Sequence, residues 1–234
     1  MPRSLFQLAA ILLLAGGSTM NGCTTSPASA DDRESERIRV ATWNIRHGRG
    51  LDGRVDLERI ARVIEDIDAD IVALQEVDEV VRRSGLVDQA AWLAERLGMR
   101  AVFGSFMEHQ GGRYGMAMLS GLPIEHSEVW RLTDGHEPRV ALAVRVLPPT
   151  GPAVAVVGVH FDWVEDDEFR HRQATETMAR LRRLDVPWIV LGDFNDTPGS
   201  RTLRDFRALG REALKPKERR ATFPADEPRI EIDF

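Results

Sequence analysis

The 234-residue sequence has a single cysteine, Cys23, a single tyrosine, Tyr114, and only two lysines, Lys215 and Lys217, among its 31 basic residues. One cysteine excludes an internal disulfide, so the folded domain must be stabilised by its core. The formal net charge is -6, which gives no overall positive field to attract nucleic acid or an anionic membrane. The composition, 43% hydrophobic and 29% charged, is that of a globular protein with one large domain or two small ones.

The first 22 residues differ in composition from the rest of the chain. Arg3 precedes the apolar run "LFQLAAILLLAGG", and small and polar residues then lead to Cys23. Because this run is shorter than the roughly 20 residues that span a bilayer, it predicts an export signal. We expect residues 1–22 to be a lipoprotein-like signal peptide with Cys23 as the acylated first residue of the exported chain. Two alternatives remain: cleavage after Ala30, and a core cysteine on an N-terminal helix.

The remaining chain predicts a short tether followed by one domain. Residues 23–37 are rich in Ser, Thr, Pro and Asp without a hydrophobic period, which is typical of a flexible linker. Residues 38–234 contain no second break of that kind. Strand patterns occur at Ile38–Asn44, Ile71–Gln75, Ala101–Gly104, Met116–Leu119, Val140–Leu147, Ala153–His160, Trp188–Leu191 and Ile230–Phe234.

Three amphipathic helices are predicted between these strands. One follows the N-cap Asp56, one runs from the cap Asp88 to a left-handed stop at Gly98, and a longer one covers residues 167–184 with an apolar stripe that includes Phe169, Met178 and Leu181. Hairpin-like strand pairs mixed with helical crossovers favour a sandwich of largely antiparallel sheets between helices.

Polar residues recur at the C-terminal ends of the predicted strands, where a core would not tolerate them unpaired. They are Asn44, Glu76, His160 with Asp162, Asp193 with Asn195, and Asp233. Ligand sites commonly form beyond strand ends. Carboxylate and amide oxygens suit a hard cation such as Mg²⁺, and the histidine suits a phosphate ester.

The segments "TWNIR", "LQEV", "RYGMAMLS", "GVHFDW" and "LGDFNDTPGS", in this order, resemble the endonuclease/exonuclease/phosphatase superfamily, which includes deoxyribonucleases, inositol polyphosphate phosphatases and sphingomyelinases. The resemblance covers the chain from about Ile38 onward. It implies a four-layer α/β sandwich of two mostly antiparallel mixed sheets flanked by helices. It also implies metal-dependent phosphoester hydrolysis.

The matching motifs assign roles to individual residues. Glu76 resembles the principal metal ligand, with Asn44 beside it. Asp193 resembles the acid that orients or deprotonates the attacking water, Asn195 helps to hold it, and His160 resembles a histidine that stabilises charge on the phosphate.

Further roles follow with less support from the motifs. Tyr114 resembles a substrate-side tyrosine, with a core aromatic as the alternative. Arg139 is expected to contact phosphate or to form a surface salt bridge. We expect Asp162 to support His160 or a neighbouring loop, and the remaining histidines to have no site role: His47, His109, His126 and His136 in solvated loops, and His171 on the long helix.

The resemblance further implies that the strand matching "RIEIDF" continues into a loop, another strand and a Ser-Asp-His segment. The aspartate that matches Asp233 pairs with the histidine of that segment. Since the printed sequence stops at Phe234, we expect a fold incomplete at its C-terminus, either as a fragment or as a natural truncation with impaired activity.

Together these observations predict an exported hydrolase that cleaves phosphodiester bonds with Mg²⁺, or with Mn²⁺ or Ca²⁺. The alternative is a catalytically impaired phosphate- or metal-binding envelope protein of the same fold. Nucleic acid, a phospholipid head group and a small phosphodiester all remain candidate substrates. "RLRR" at 180–183 and "KPKERR" at 215–220 are the only obvious basic candidates for a nucleic-acid groove, and no apolar insertion for docking on lipid is evident. We expect a monomer in the cell envelope or periplasm, anchored through Cys23, or a secreted protein.

Overall fold

The computed structural model describes residues 37–216 and 220–234 of the chain. The predicted signal peptide, Cys23 and all but the last residue of the predicted tether lie outside these ranges. The strands in the described ranges are β1 (Val40–Asn44), β2 (Ile71–Glu79), β3 (Arg100–His109), β4 (Gly112–Ser120), β5 (Ile124–Arg131), β6 (Val140–Val146), β7 (Val154–His160) and β8 (Trp188–Asp193). They form one sheet in the order β1-β2-β4-β3 and a second in the order β5-β6-β7-β8.

Both sheets are mixed. In the first, β1 pairs in parallel with β2, and the other two pairings are antiparallel. In the second, β7 pairs in parallel with β8, and the other two pairings are again antiparallel. Because β1 also contacts β8 across the two sheets, the polar residues at the ends of these strands meet at one edge of the molecule.

Alternating side chains place three apolar layers across the fold. In β2, Ile71 and Ala73 point between the sheets, whereas Val72 and Leu74 point outward, as expected for a strand that is buried on both faces. Helices α1 (Leu57–Ile67) and α2 (Gln89–Leu97) pack on the outer face of the first sheet, and α3 (Glu168–Leu181) and α4 (Arg201–Leu209) on that of the second. The predicted four-layer sandwich is confirmed.

The predicted ends of α1 and α2 are also confirmed. The carboxylate of Asp56 accepts a hydrogen bond from the backbone N–H of Arg59 at 2.9 Å, and Asp88 accepts one from that of Ala91 at 3.0 Å. These caps satisfy N–H groups that have no partner within the helix. Gly98 ends α2 in the left-handed conformation with φ 65°.

Several predicted elements were wrong in extent. Helix α3 ends at Leu181, because the next residues form tighter turns and Pro187 follows. Its apolar stripe does not include Phe169, which is exposed. The segment 230–234 is not a regular strand, since Ile230 pairs with Phe223 and the following residues pair with β8.

Two elements were not predicted, β5 and α4. Strand β5 is an edge strand whose side chains are mostly exposed, so its sequence has no apolar alternation. Helix α4 is short, although the hydroxyl of Ser200 caps it by accepting a hydrogen bond from Leu203 N–H. No helix within the described ranges is both long and apolar enough to cross a membrane.

Candidate active site

All eight predicted site residues line one open cavity of about 770 Å³ at the edge where β1, β7 and β8 end. They are Asn44, Glu76, Tyr114, Arg139, His160, Asp193, Asn195 and Asp233. The cavity therefore joins side chains from both sheets and from the segment that follows α4.

A β-bulge directs Glu76 into this cavity. The pairing of β2 with β4 shifts by one residue between Gln75 and Val77, and Glu76 has a φ of 57°. A left-handed backbone is unfavourable for glutamate and usually persists only where the surrounding structure imposes it. Because the bulge interrupts the alternation, Gln75 and Val77 both stay buried while the carboxylate between them reaches the cavity.

Gly115 of β4 lies opposite this bulge and opposite a second register shift in β3, between Ser105 and Met107. A Cβ atom at Gly115 would lie 2.1 Å from the carbonyl oxygen of Gly104, so only glycine permits this approach. The neighbouring residue of β4, Tyr114, is buried, and its pKa is raised by burial and by the charge of Glu76. Its hydroxyl is therefore a hydrogen-bond donor at neutral pH.

Asn44 connects the two sheets at the cavity floor. Its amide nitrogen donates hydrogen bonds to Oε1 of Glu76 at 2.9 Å and to Oδ2 of Asp193 at 3.1 Å. Its amide oxygen accepts a hydrogen bond from the backbone N–H of Arg46 at 3.1 Å. One neutral side chain thus holds two carboxylates that would otherwise repel each other.

Asp193 is fixed from its second oxygen by Asn195. The backbone N–H of Asn195 donates to Oδ1 of Asp193 at 3.0 Å, and the Asn195 side chain donates to the carbonyl of Phe161 at 2.9 Å. Asn195 adopts a left-handed φ of 49°, which asparagine tolerates better than most residues. Asn195 lines the cavity, and its main effect there is to orient Asp193.

Burial, together with neighbouring carboxylates, raises the pKa of two acids. Burial, followed by the charges of Asp233 and Glu76, raises the pKa of Asp193 to about 8, although hydrogen bonds from Asn44 and Asn195 oppose the shift. Burial also raises the pKa of Asp233 to about 6. The cavity is therefore a place where added positive charge is favourable.

His160 lies beside Asp193 without a direct hydrogen bond to it. Its Nε2 is 3.6 Å from Oδ2 of Asp193, beyond normal hydrogen-bond length. Burial and, secondarily, the charge of Arg139 lower the pKa of His160 well below its usual value. The ring is therefore neutral at pH 7, and its buried Nδ1 has no hydrogen-bond partner among the described residues.

Arg139 forms a salt bridge, as one of its two expected roles required, but the arginine itself is buried and also lines the cavity. Its Nη1 lies 3.1 Å from Oε2 of Glu137, and its guanidinium lies 5.1 Å from the ring centre of Phe106. Only 2% of the residue is exposed, yet its Nε atom has no hydrogen-bond partner within the described part of the chain. A buried arginine that lines a cavity with a donor unused is suited to an anion.

Asp233 is positioned by a buried network rather than by a regular strand. Nζ of Lys215 donates to Oε1 of Glu231 at 2.7 Å and to the carbonyl of Asp233 at 2.9 Å. The backbone N–H of Asp233 donates to the hydroxyl oxygen of Thr222 at 3.3 Å. These contacts hold the segment against β8, so that Asp233 faces the same cavity as Asp193.

Asp162 supports a neighbouring loop, which is one of the two roles expected of it. Its carboxylate accepts hydrogen bonds from the backbone N–H groups of His136 at 2.6 Å and Val164 at 3.1 Å. His47 is half-buried in a single helical turn instead of fully solvated in a loop, and burial followed by the charge of Arg83 lowers its pKa to about 4. Two more expectations fail in position, since His109 lies on β3 and His126 on β5, not in loops.

Other residues of the cavity wall were not predicted, and among them are Arg46, Leu51, Trp163 and Phe223. Trp163 stands in the segment "GVHFDW" that carried the resemblance, but an exposed aromatic outside a strand gives no pattern by itself. Leu51 and Phe223 lie in irregular segments, so only the three-dimensional structure brings them to this cavity.

The donor set fits a divalent cation of the Mg²⁺ type with few protein ligands. In the described ranges, no group of three His, Cys, Asp or Glu side chains is arranged to hold a metal. Mg²⁺ keeps several waters and is often held by one or two carboxylates, so such a group is not required. Glu76 and Asp193 both direct carboxyl oxygens into the cavity, and both accept a hydrogen bond from the Asn44 amide.

In a comparison with known protein families, residues 41–234 match the Endonuclease/Exonuclease/phosphatase family. The protein YbhP of Escherichia coli K12, described as uncharacterized, is 33% identical over 180 residues, which are 71% of this chain and 70% of YbhP.

Two solved structures are similar in fold and sequence. An endonuclease/exonuclease/phosphatase from Beutenbergia cavernae DSM 12333 has a TM-score of 0.59 and 26% identity, over 70% of this chain and 48% of that one. The chain thus spans about half the length of that protein. The human Nocturnin catalytic domain with bound sulfate anion has a TM-score of 0.59 and 25% identity, over 73% of this chain and 69% of that one.

Proposed function

Since the chain belongs to the Endonuclease/Exonuclease/phosphatase family, whose members include hydrolases of phosphoester bonds, we propose that it is a metal-dependent hydrolase of phosphodiesters. The observation that carries this proposal is the gathering of Asp193, His160 and Arg139 in one cavity. An acid can activate the attacking water, and a neutral imidazole and an arginine with an unused donor can stabilise charge on the phosphodiester.

Asp193 is the group that takes a proton from the attacking water. A general base works best when its pKa lies near the working pH, and burial brings the pKa of Asp193 to about 8. The hydrogen bonds from Asn44 and Asn195 leave its carboxylate a single orientation at the cavity floor. Water held there would be aligned for in-line displacement at phosphorus.

His160 and Arg139 stabilise the charge that develops on the phosphoryl oxygens. The guanidinium of Arg139 has its Nε without a hydrogen-bond partner among the described residues, and its ion pair with Glu137 holds it in place, so it needs no reorganisation. His160 is neutral and serves as a hydrogen-bond donor through one ring nitrogen. Tyr114 keeps its proton and can donate to the same phosphate. The sulfate bound to the Nocturnin catalytic domain is likewise a tetrahedral oxyanion.

Glu76 is the residue that would hold the metal, with Asn44 beside it. When bound, Mg²⁺, or Mn²⁺ or Ca²⁺, would supply Lewis-acid stabilisation of a phosphoryl oxygen. Asn44 donates a hydrogen bond from its amide nitrogen to Glu76, which keeps that side chain aimed at the cavity. Asp233 adds negative charge on the opposite side of Asp193.

The setting of this activity is also a proposal. We infer that the chain is exported, carries a lipid on Cys23 and works as a monomer in the cell envelope. A long nucleic-acid groove is disfavoured because Arg180 and Arg183 of "RLRR" line a different cavity, together with Glu128 and Glu176. In the second basic segment, Lys215 is engaged in the buried network with Glu231. A small phosphodiester is therefore the favoured substrate.

The test is hydrolysis of bis(p-nitrophenyl) phosphate and p-nitrophenyl phosphate with Mg²⁺ and with EDTA. We expect Mg²⁺-dependent turnover with the diester preferred, and loss of at least about 100-fold in kcat for Asp193→Asn and His160→Gln. Asp185→Asn is the matched control, because its side chain is exposed and remote from the cavity lining. Turnover that survives both site substitutions would refute the proposed roles. Binding of Mg²⁺ and phosphate without turnover would instead support a catalytically impaired binding protein.

A further inference from the structure

The mouth of the cavity carries exposed apolar side chains from three separate segments. Leu51 follows β1 and is 66% exposed, Trp163 follows β7 and is 55% exposed, and Phe223 lies beyond α4 and is 51% exposed. Exposed apolar groups that converge on one cavity normally mark a contact with another molecule. Binding of a phosphate at the cavity floor does not require these apolar side chains, because a phosphate is bound by charge and hydrogen-bond donors.

The occupant of this mouth is a ligand within the cavity, rather than a lipid surface. All three side chains belong to the wall of the cavity that also holds His160 and Asp193. The net charge of -6 opposes approach to an anionic bilayer. Groups that line a concave wall make their contacts with what enters it.

Aromatic character further narrows the class of ligand. Aromatic residues make up 6% of the chain, yet four of them line this cavity: Trp43, Tyr114, Trp163 and Phe223. Trp163 packs edge-to-face against His136 with ring centres 5.3 Å apart, which limits its orientations and leaves much of the ring exposed. Such faces suit a planar π system, and base–aromatic stacking is worth about 1–3 kcal/mol in proteins that bind single strands.

The site has a buried floor and an exposed mouth. Arg139 and His160 lie at the floor and are almost fully buried, whereas Trp163 and Phe223 are exposed at the mouth. A ligand with its phosphate on the floor would project its ester group past the aromatic side chains. This arrangement separates a part that reacts from a part that selects.

We propose that Trp163 and Phe223 select phosphodiesters in which the ester group that stays on phosphorus, not the leaving group, carries a planar aromatic ring of nucleobase size. This inference rests on the proposed function for the reaction itself. Leu51 contributes apolar contact at the same mouth, and the two aromatic residues provide the stacking surfaces. The ligand class is a small nucleotide-like phosphodiester.

The test uses three p-nitrophenyl phosphodiesters with the same leaving group and a thymidine-5′, hexyl or methyl group as the second ester. We expect kcat/KM to be about tenfold higher for the thymidine ester than for the methyl ester, with hexyl between them. Trp163→Ala and Phe223→Ala should each lower the thymidine-to-methyl ratio several-fold. Phe169→Ala is the control, because Phe169 is an exposed aromatic on α3 outside the cavity. An unchanged ratio in both mouth variants, or a hexyl ester preferred to thymidine, would overturn the inference.

Binding measurements separate this inference from the proposed reaction. Calorimetric titration with thymidine 5′-monophosphate, hexyl phosphate and methyl phosphate requires no turnover. If no ester is hydrolysed but thymidine 5′-monophosphate binds best and loses that advantage in Trp163→Ala, the mouth selects aromatic ligands and the proposed reaction fails. If the esters are hydrolysed at equal rates and the three phosphates bind equally, the reaction stands and the inference fails.

Discussion

The amide nitrogen of Asn44 lies 3.1 Å from Oδ2 of Asp193, across 149 positions of sequence and from one sheet to the other. The same nitrogen also donates to Glu76, so a single side chain sets the spacing of two carboxylates. Removing it leaves both acids with one donor fewer and with their repulsion unmodified.

We expect Asn44→Ala to lower kcat/KM for bis(p-nitrophenyl) phosphate by about 100-fold, since Asp193 loses its orientation. Asn44→Asp should be no better than Asn44→Ala, because it places a third negative charge where a donor stood. Steady-state kinetics with saturating Mg²⁺ measures both variants. Activity of Asn44→Asp close to the wild type would mean that the amide is not needed as a donor.

The pKa of Asp193 predicts how the stability of the metal-free protein depends on pH. A raised carboxyl pKa means that the native state binds more protons than the unfolded state between about 4 and 8, so the free energy of unfolding falls as pH rises through that window. His160 acts in the opposite direction only below its usual pKa of 6.5, where the unfolded chain takes up a proton and the native state does not. The decline is therefore cleanest between pH 6.5 and 8.

In urea unfolding experiments with EDTA, the free energy of unfolding should fall by up to about 1.4 kcal/mol per pH unit across this range. Asp193→Asn should remove most of the slope, and Asp185→Asn, an exposed acid, should keep it. A wild-type free energy of unfolding that stays flat from pH 6.5 to 8 would contradict the raised pKa of Asp193.

Three residues of the site could be predicted from sequence because they stand at the ends of hydrophobic strands. Asn44, His160 and Asp193 close β1, β7 and β8; β7 pairs with β8, and β1 contacts β8 across the two sheets, so their ends lie together. The reason why Glu76 reaches the cavity could not be predicted, because a bulge shifts the register by one residue and the letters "QEV" do not encode it. The burial of Arg139 depends on Phe106 of another strand and was equally hidden.

Metal binding is predicted to stabilise the protein most strongly at alkaline pH. As Asp193 and Asp233 lose their protons, the cavity gains negative charge that a divalent cation can neutralise. Mg²⁺ is added at about 5 mM, so that its concentration exceeds even a weak Kd. This addition should raise the Tm more at pH 8 than at pH 6.5. Glu76→Gln should abolish the increase at both values. An undiminished increase in Glu76→Gln would show that Glu76 does not hold the ion.

Substitution by alanine should have effects of different size at Gly115 and Gly104, which lie on facing strands. A Cβ at Gly115 would lie 2.1 Å from the Gly104 carbonyl, whereas a Cβ at Gly104 would meet Leu142 and Val140 at 3.4 Å and 3.5 Å, in ordinary contact. We expect Gly115→Ala to destabilise the protein by more than about 2 kcal/mol and to displace the bulge at Glu76. Gly104→Ala should change stability by less than about 1 kcal/mol. Similar losses in thermal or urea unfolding for both variants would argue against close strand approach at Gly115.

Lys215 and Glu231 form a buried ion pair that holds Asp233 in place. Only 7% of the Lys215 side chain and 5% of the Glu231 side chain are exposed, and the ammonium also lies 4.3 Å from the ring centre of Phe234. Lys215→Met leaves the buried Glu231 with the more distant Arg220, 4.0 Å from its Oε2, as its remaining ion-pair partner, so the substitution should cost up to about 3 kcal/mol. Glu231→Gln in the Lys215→Met background should recover part of that loss, because the side chain at position 231 is then neutral.

A double-mutant cycle by urea unfolding measures this coupling, with Arg172→Met as the control because its pair with Glu168 is exposed. The expected coupling energy exceeds about 1 kcal/mol for Lys215 with Glu231. Lys215→Met should also lower kcat with the diester more than the control does, since the lysine bonds the carbonyl of Asp233 directly. Additive losses in the cycle, together with unchanged kcat, would show that the lysine neither stabilises the segment through Glu231 nor positions Asp233.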